Sequence, residues 1–302
     1  MSTSLAVLAL DAADYRLARQ WNCENMLLSK NRGIETFSYS YDHPFTPEVW
    51  TSIATGLQPE EHSVYGDAAD WNSLPLRLVS KFTQYLPHKW RNLLGKPFRE
   101  RGHEQHIHQS NKPHAFERGA VFGWPGISQA DHLSEAWSWA SKLNHGEMDM
   151  SELRSKTLGN TGKELGWLVG MQEAGIPIFG VHSHILDITG HAFANRKNLL
   201  REYYEYVDSM LSWVRDQVDE LVIISDHGMQ VSWLKDDSPG THSDYAMFAA
   251  TAGVEGELPE SVFDVRAWLE ANTEAKSESD RQEGKVGMDT AEERLRELGY
   301  IE

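Results

Sequence analysis

Four short stretches of this 302-residue chain carry side chains of the kinds that hold cations or attack electrophiles. They are Leu10-Asp11; the run from Phe45 to Gly56, with Thr46-Pro47 near its start; Asp187-Ile-Thr-Gly-His191; and Ser225-Asp-His-Gly-Met229, followed by Gly240-Thr-His242. Asp11, Asp187, Asp226, His191, His227 and His242 together make three carboxylates and three imidazoles. Mixed oxygen and nitrogen ligands suit zinc or manganese, and this set is larger than one four-coordinate zinc requires. Two divalent metal ions sharing it is the natural division. Such a pair, ~4 Å apart, can stabilise both the attacking and the leaving oxygen in phosphoryl transfer.

Thr46 is the candidate nucleophile. Pro47 favours the first helical position, which puts Thr46 where an N-cap would stand. Its hydroxyl would then face the positive end of a helix, a place that accommodates phosphate. An ordinary threonine does not attack without activation, and a neighbouring cation would supply it. Capping is also what threonine commonly does before proline, and the pair alone does not separate the two roles. Thr51, Ser52 and Thr55 lie inside the predicted helix, with hydroxyls free to bond back to its own carbonyls.

The elements that must position these groups follow an α/β pattern, with short apolar runs alternating with longer amphipathic segments. Strands are expected at 5–10, 34–41, 120–122, 176–186, 221–225 and 245–251. Helices are expected at 13–22, 47–55, 74–86, 133–143, 152–174, 194–218 and 259–271. In the long 194–218 segment, Leu199, Tyr203, Val207, Met210, Leu211 and Val214 recur at three- and four-residue steps, so one face is buried. Asp11, Asp187 and Asp226 each follow an expected strand, where loops at the carboxyl edge of a parallel sheet build ligand sites. His182 and His184 alternate along one strand, on the side opposite Asp187, and are expected in the core or behind the ligands.

Composition narrows the partners. The chain has 28 Lys+Arg against 45 Asp+Glu, a net charge of −17, which repels a nucleic-acid backbone. A hydrophobic fraction of 40% supports a packed core. The single cysteine, Cys23, excludes an intrachain disulfide and suits a cytoplasmic setting. No apolar run approaches the ~20 residues that cross a bilayer, so no membrane partner is expected. The small anionic substrate is therefore the one partner the sequence points to.

Two stretches break the charge pattern. Residues 77–118 carry nine Lys/Arg against three Asp/Glu, plus five histidines. Lys89, Arg91, Lys96, Arg99 and Arg101 could line a cap or lid that offers positive potential to an anionic substrate, or simply pair with the acidic body. His103, His106 and His108, with His114 nearby, could hold another metal, though solvated or hydrogen-bonded histidines are commoner in such a stretch. The expected organisation is a catalytic body over 1–272 containing this basic insert, a polar linker over 273–288, and a C-terminal docking helix over 289–302.

Taken together, the motifs resemble the alkaline phosphatase superfamily, and most of all its type I phosphodiesterase/nucleotide pyrophosphatase branch. The resemblance rests on Thr46-Pro-x-x-Trp-Thr-Ser-x-x-Thr-Gly-x-x-Pro-x-x-His62, Asp187-x-x-Gly-His191, Ser225-Asp-His-Gly-Met229 and Gly240-x-His242, in the family's order. It implies a mostly parallel sheet flanked by helices. It also implies one metal held by Asp187, His191 and His242, and a second held by Asp11, Asp226 and His227 with Thr46 beside it. The expected reaction is in-line displacement by Thr46, a covalent phosphothreonine-type intermediate, and its hydrolysis. Where the family often carries an asparagine that holds the substrate phosphate, this chain has Asp67. A carboxylate there repels a phosphate oxygen, and a dianionic monoester more than a monoanionic diester. Ser243 likewise stands where glycine is usual. The expectation is a phosphodiesterase; a phosphomonoesterase, a phosphotransferase or a non-catalytic phosphate-binding descendant would use the same residues. A sulfatase is disfavoured by threonine at the nucleophile position.

Overall fold

The run Leu5-Ala-Val-Leu-Ala-Leu10 forms strand β1 (Leu5–Leu10) in the computed structural model, which describes residues 4–66, 109–130 and 132–277. All six residues are buried because both faces of the strand are covered. Leu5, Val7 and Ala9 pack into one core with Val49, Trp50 and Ile53, while Ala6, Leu8 and Leu10 pack into the other with Leu165, Val207 and Leu211. A strand covered on both sides reads as a continuous apolar run rather than an alternating one.

Around β1 the sheet takes the order β2-β8-β5-β1-β4-β3. Its other strands are β2 (Lys30–Ile34), β3 (Ala120–Phe122), β4 (Ile178–Ser183), β5 (Glu220–Ile224) and β8 (Ala246–Ala250). Strands β3, β4, β1 and β5 are parallel, and β8 runs antiparallel to both β5 and β2. Leu10 pairs with Ser183 and Ala9 with Ile224, so β1, β4 and β5 end at the same edge. That shared edge brings three distant segments together. A separate ribbon, β6 (Gly228–Met229) with β7 (His242–Ser243), projects beside it.

One face carries α3 (Thr46–Thr55) and α9 (Val265–Ser277); the other carries α1 (Tyr15–Gln20), α6 (Met150–Glu173), α7 (Ile185–Phe193) and α8 (Lys197–Arg215). The remaining helices are α2 (Glu24–Leu27), α4 (Pro59–His62) and α5 (His132–His145). Every residue of α3 is buried. Its Val49, Trp50 and Ile53 are fully enclosed, each such burial contributing about 1.5–3 kcal/mol before entropy is charged against it. The Trp124 indole donates to the Trp50 carbonyl at 3.0 Å and locks the helix in place.

The α/β architecture and the mainly parallel sheet agree with the sequence. Four details differ. The strand expected at 34–41 lies earlier, at β2, whose polar Lys30-Asn-Arg-Gly-Ile34 edge strand hides from a hydrophobicity pattern. The strand expected at 176–186 stops at Ser183, and the chain turns into α7. The helix expected at 259–271 begins only after a 3-10 turn at Val262–Asp264, capped by Ser261. It then continues as α9 through Ser277, into the segment expected to be a linker. At the end of the expected basic insert, Ala115 and Phe116 pack into the body, with Ala115 N donating to the Ala54 carbonyl. The helix expected at 74–86, residues 77–108 of the insert with Arg99, Arg101, His103, His106 and His108, Asp67, and the tail over 289–302 lie outside the described residues. Among the described residues no helix is long and apolar enough to cross a membrane.

Candidate metal centre

The six side chains singled out by type and spacing converge at the carboxyl edge of the sheet. Asp11 leaves the end of β1, Asp226 and His227 leave the end of β5, and His242 comes from β7. Asp187 and His191 lie on α7 rather than in a loop, one helical turn apart and therefore on one face. The glycine of the Asp187-x-x-Gly-His191 motif has a packing reason: a Cβ on Gly190 would come within 2.7 Å of Met229 Cε.

The six divide into two groups. In the first, Asp187 Oδ1 lies 3.2 Å from His191 Nε2 and 3.3 Å from His242 Nε2, and the two Nε2 atoms are 3.2 Å apart. In the second, His227 Nε2 lies 3.3 Å from Asp11 Oδ1 and 3.3 Å from Asp226 Oδ2. The rings of His227 and His242 stack at 3.7 Å between centroids, so the groups adjoin. The second group is fully buried, whereas the first opens to solvent through His191 and His242.

These donors fit divalent cations. His191 Nδ1 bonds to the Gly240 carbonyl and His242 Nδ1 to the Pro44 carbonyl, both at 2.8 Å. A carbonyl only accepts, so each Nδ1 carries a hydrogen and each Nε2 faces Asp187, whose charge raises His191 to about 9. A proton on His191 offsets the Asp187 charge here, and a divalent cation at the same point would take that proton's place on Nε2. Asp11 Oδ1 and Asp226 Oδ2 are buried with no hydrogen-bond partner among the described residues, a cost that a bound cation would relieve. Burial, together with Asp11, pushes the Asp226 carboxyl well above its usual range. Burial and the neighbouring His242 hold His227 down to about 3, the neutral form that a metal ligand needs.

Thr46 is brought to the second group. Its Oγ1 lies 3.2 Å from His227 Nε2, and His227 Nδ1 bonds to the Gly228 carbonyl, so the threonine hydroxyl donates to Nε2. The hydroxyl does not cap α3: Phe45 takes the N-cap position, and its carbonyl accepts from Glu48 N and Val49 N. The neighbouring hydroxyls behave differently. Thr51 and Thr55 bond back to the Pro47 and Thr51 carbonyls, as expected, but Ser52 Oγ pairs with His62 Nε2 at 3.0 Å.

His184 is buried against the donors, as expected, but not on the far side from Asp187. Because β4 stops at Ser183, His184 stands at the start of α7 and not on the far side of the strand from Asp187. Its Nδ1 lies 2.6 Å from Asp11 Oδ2 and its Nε2 3.2 Å from Asp187 Oδ2, so it spans the two groups. His182 Nε2 also meets Asp11 Oδ2, at 3.2 Å, supporting the carboxylate from behind. The His-x-His pair before Asp187 was the available signal, but only the strand end gives its direction.

Across residues 6–274, the chain matches the family profile described as type I phosphodiesterase / nucleotide pyrophosphatase. The chain belongs to that family. For a member of the type I phosphodiesterase / nucleotide pyrophosphatase family, the expected chemistry is hydrolysis of phosphoesters, and metal dependence is typical. No curated protein sequence matches the chain. Similar solved structures include an alkaline phosphatase from the Antarctic bacterium TAB5, 11% identical, TM-score 0.47, covering 90% of this chain and 98% of that one. The PH0037 protein from Pyrococcus horikoshii is also 11% identical, with TM-score 0.44 and coverage of 95% and 100%. Murine ectonucleotide pyrophosphatase / phosphodiesterase 5 is 13% identical, with TM-score 0.37 and coverage of 76% and 58%.

Proposed function

We propose that this chain is a phosphodiesterase acting on small anionic phosphate esters, with Thr46 as nucleophile and two divalent cations, zinc or manganese. Asp187, His191 and His242 would hold one cation; Asp11, Asp226 and His227 would hold the other. The observation that carries the reading is Thr46 Oγ1 at 3.2 Å from His227 Nε2, inside one donor set and beside another through the stacked His227–His242 pair. Cations bound there supply positive charge for the phosphate oxygens and ease loss of a proton from a neighbouring hydroxyl.

The chain's own groups do the positioning. Thr46 is 3% exposed, so its hydroxyl sits on a nearly dry floor. It occupies the first turn of α3, where the helix dipole favours the substrate's negative charge. In-line attack by Oγ forms the new P–O bond as the leaving alkoxide departs, and hydrolysis of that ester restores the hydroxyl. Glu48, also in the first turn of α3, accepts from Gly66 N at 2.9 Å and tethers the residue that immediately precedes Asp67. The preference for a monoanionic diester over a dianionic monoester rests on the sequence, where Asp67 stands at the position of the family's phosphate-holding asparagine.

Hydrolysis of bis-p-nitrophenyl phosphate against p-nitrophenyl phosphate, with zinc or manganese, tests the proposal. The diester is expected to turn over faster, and Thr46→Ala to abolish turnover with metal content unchanged. A Thr46→Ala protein as active as wild type removes Thr46 from its role, and a faster monoester reverses the substrate preference.

A further inference from the structure

Three charged residues outside both donor groups tie together the segments that carry them. Asp14 is fully buried and caps α1, its Oδ1 accepting from Arg16 N at 2.8 Å and Leu17 N at 3.3 Å. Its Oδ2 turns the other way and accepts from Met229 N at 3.2 Å and Ser243 Oγ at 3.3 Å. Arg16 pairs with that carboxylate at 2.8 Å and also donates to the Met229 carbonyl at 3.2 Å. Its two terminal nitrogens then reach Asp236, at 3.0 and 3.1 Å, and its guanidinium carbon lies 3.7 Å over the Tyr245 ring. Asp236 Oδ2 in turn accepts from Val231 N at 2.8 Å.

The sequence positions of these contacts matter. Asp14 follows Asp11 by one turn of chain, Met229 stands two residues after His227, and Ser243 is next to His242. Gly228 pairs with Ser243 and Met229 with His242 across the β6–β7 ribbon, so a displacement of one ligand segment moves the other. The fit is close. A Cβ on Gly228 would meet Asp14 Oδ2 at 2.5 Å and Ser243 Oγ at 2.8 Å, which accounts for glycine after His227.

We propose that Asp14, Arg16 and Asp236 form a positioning brace that holds Asp226, His227 and His242 at ligand spacing and couples the two cation groups, so that loosening the brace weakens both together. The inference rests on the two-cation reading. Arg16 acts by geometry as well as charge, because its planar fork meets both oxygens of Asp14 and both of Asp236 at once, a double bidentate pairing that an ammonium's three donors cannot reproduce.

Zinc affinity and stoichiometry, measured by competition with a chromogenic chelator, test the brace in the full chain. Thermal unfolding in excess EDTA is measured alongside. Arg16→Ala and Asp236→Asn are expected to weaken both zinc equivalents by about tenfold or more, the size typical of losing a support behind metal ligands. Arg16→Lys is expected to fail to restore the affinity. Should Arg16→Ala not fold, Asp236→Asn at the outer end of the fork gives the same readout. Variants that unfold earlier in EDTA but bind zinc as tightly as wild type overturn the brace, as does loss at one equivalent alone. Wild-type protein that takes up no zinc overturns the two-cation reading itself.

Discussion

Glu164 offers a test of the packing beneath the candidate centre. It lies on α6, 5% exposed, and its Oε2 has no hydrogen-bond partner among the described residues. Burial pushes its carboxyl up to about 7; the Ser183 hydroxyl, His184 and Lys163 offset only part of that effect. Unfolded, the carboxyl returns to its ordinary 4.5. The folded chain therefore holds a proton that the unfolded chain has lost between those values, and stability falls as pH rises across that window. It is complete below pH ~4.5 and levels off above pH ~7, and the total change is about 3 kcal/mol. Glu164→Gln keeps the volume and removes the titration. In urea unfolding with chelator throughout, the variant is expected to gain on wild type from pH 5 to about pH 7 and then level off, by most of that amount. Wild-type and variant stabilities that run parallel across this range refute the reasoning, because a carboxyl that ionises equally in both states contributes no slope.

Two further outcomes follow from the geometry. Asp187→Asn and Asp226→Asn are each expected to lower bound zinc from two equivalents to one by elemental analysis, and full retention in either variant removes that aspartate from its ligand role. His62→Ala takes away the partner of Ser52 Oγ and the acceptor for Val64 N. It is expected to cost about 1–3 kcal/mol, read as a lower thermal midpoint, and an unchanged midpoint shows that the contact carries no stability.

How much of this was legible in the sequence depended on whether the signal was local. β1 announced itself because a strand covered on both faces leaves no polar position in Leu5–Leu10. α8 announced itself because its buried residues, Leu200, Tyr203, Val207, Leu211 and Val214, recur at helical spacing. β2 did not, because it sits at the sheet edge with only Ile34 buried. Phe37, Tyr39 and Tyr41 imitate an alternating strand just after it. Their aromatic rings are held by neighbours instead: Phe37 stacks on Phe263, and Tyr41 packs edge-on against Phe45.

The same distinction separates the donors from what holds them. Asp187 and His191 could be paired on sight because four residues make one helical turn, and Asp226-His227 because they are adjacent. The direction of His184 could not be read, because it depends on whether the strand ends at Ser183 or runs on to Leu186, and period-two reasoning fails beyond the strand end. Asp14 and Asp236 were harder still. Each looks like an ordinary acid in an acidic chain, and only contacts across more than two hundred residues, through Arg16, distinguish them. A ligand must be a particular chemical type and so leaves a trace in composition and spacing. A brace needs only to be charged and correctly placed, and its placement exists in three dimensions alone. Motif-bearing sites in such chains are therefore most legible where the chemistry is, and least legible where the stability of that chemistry is decided.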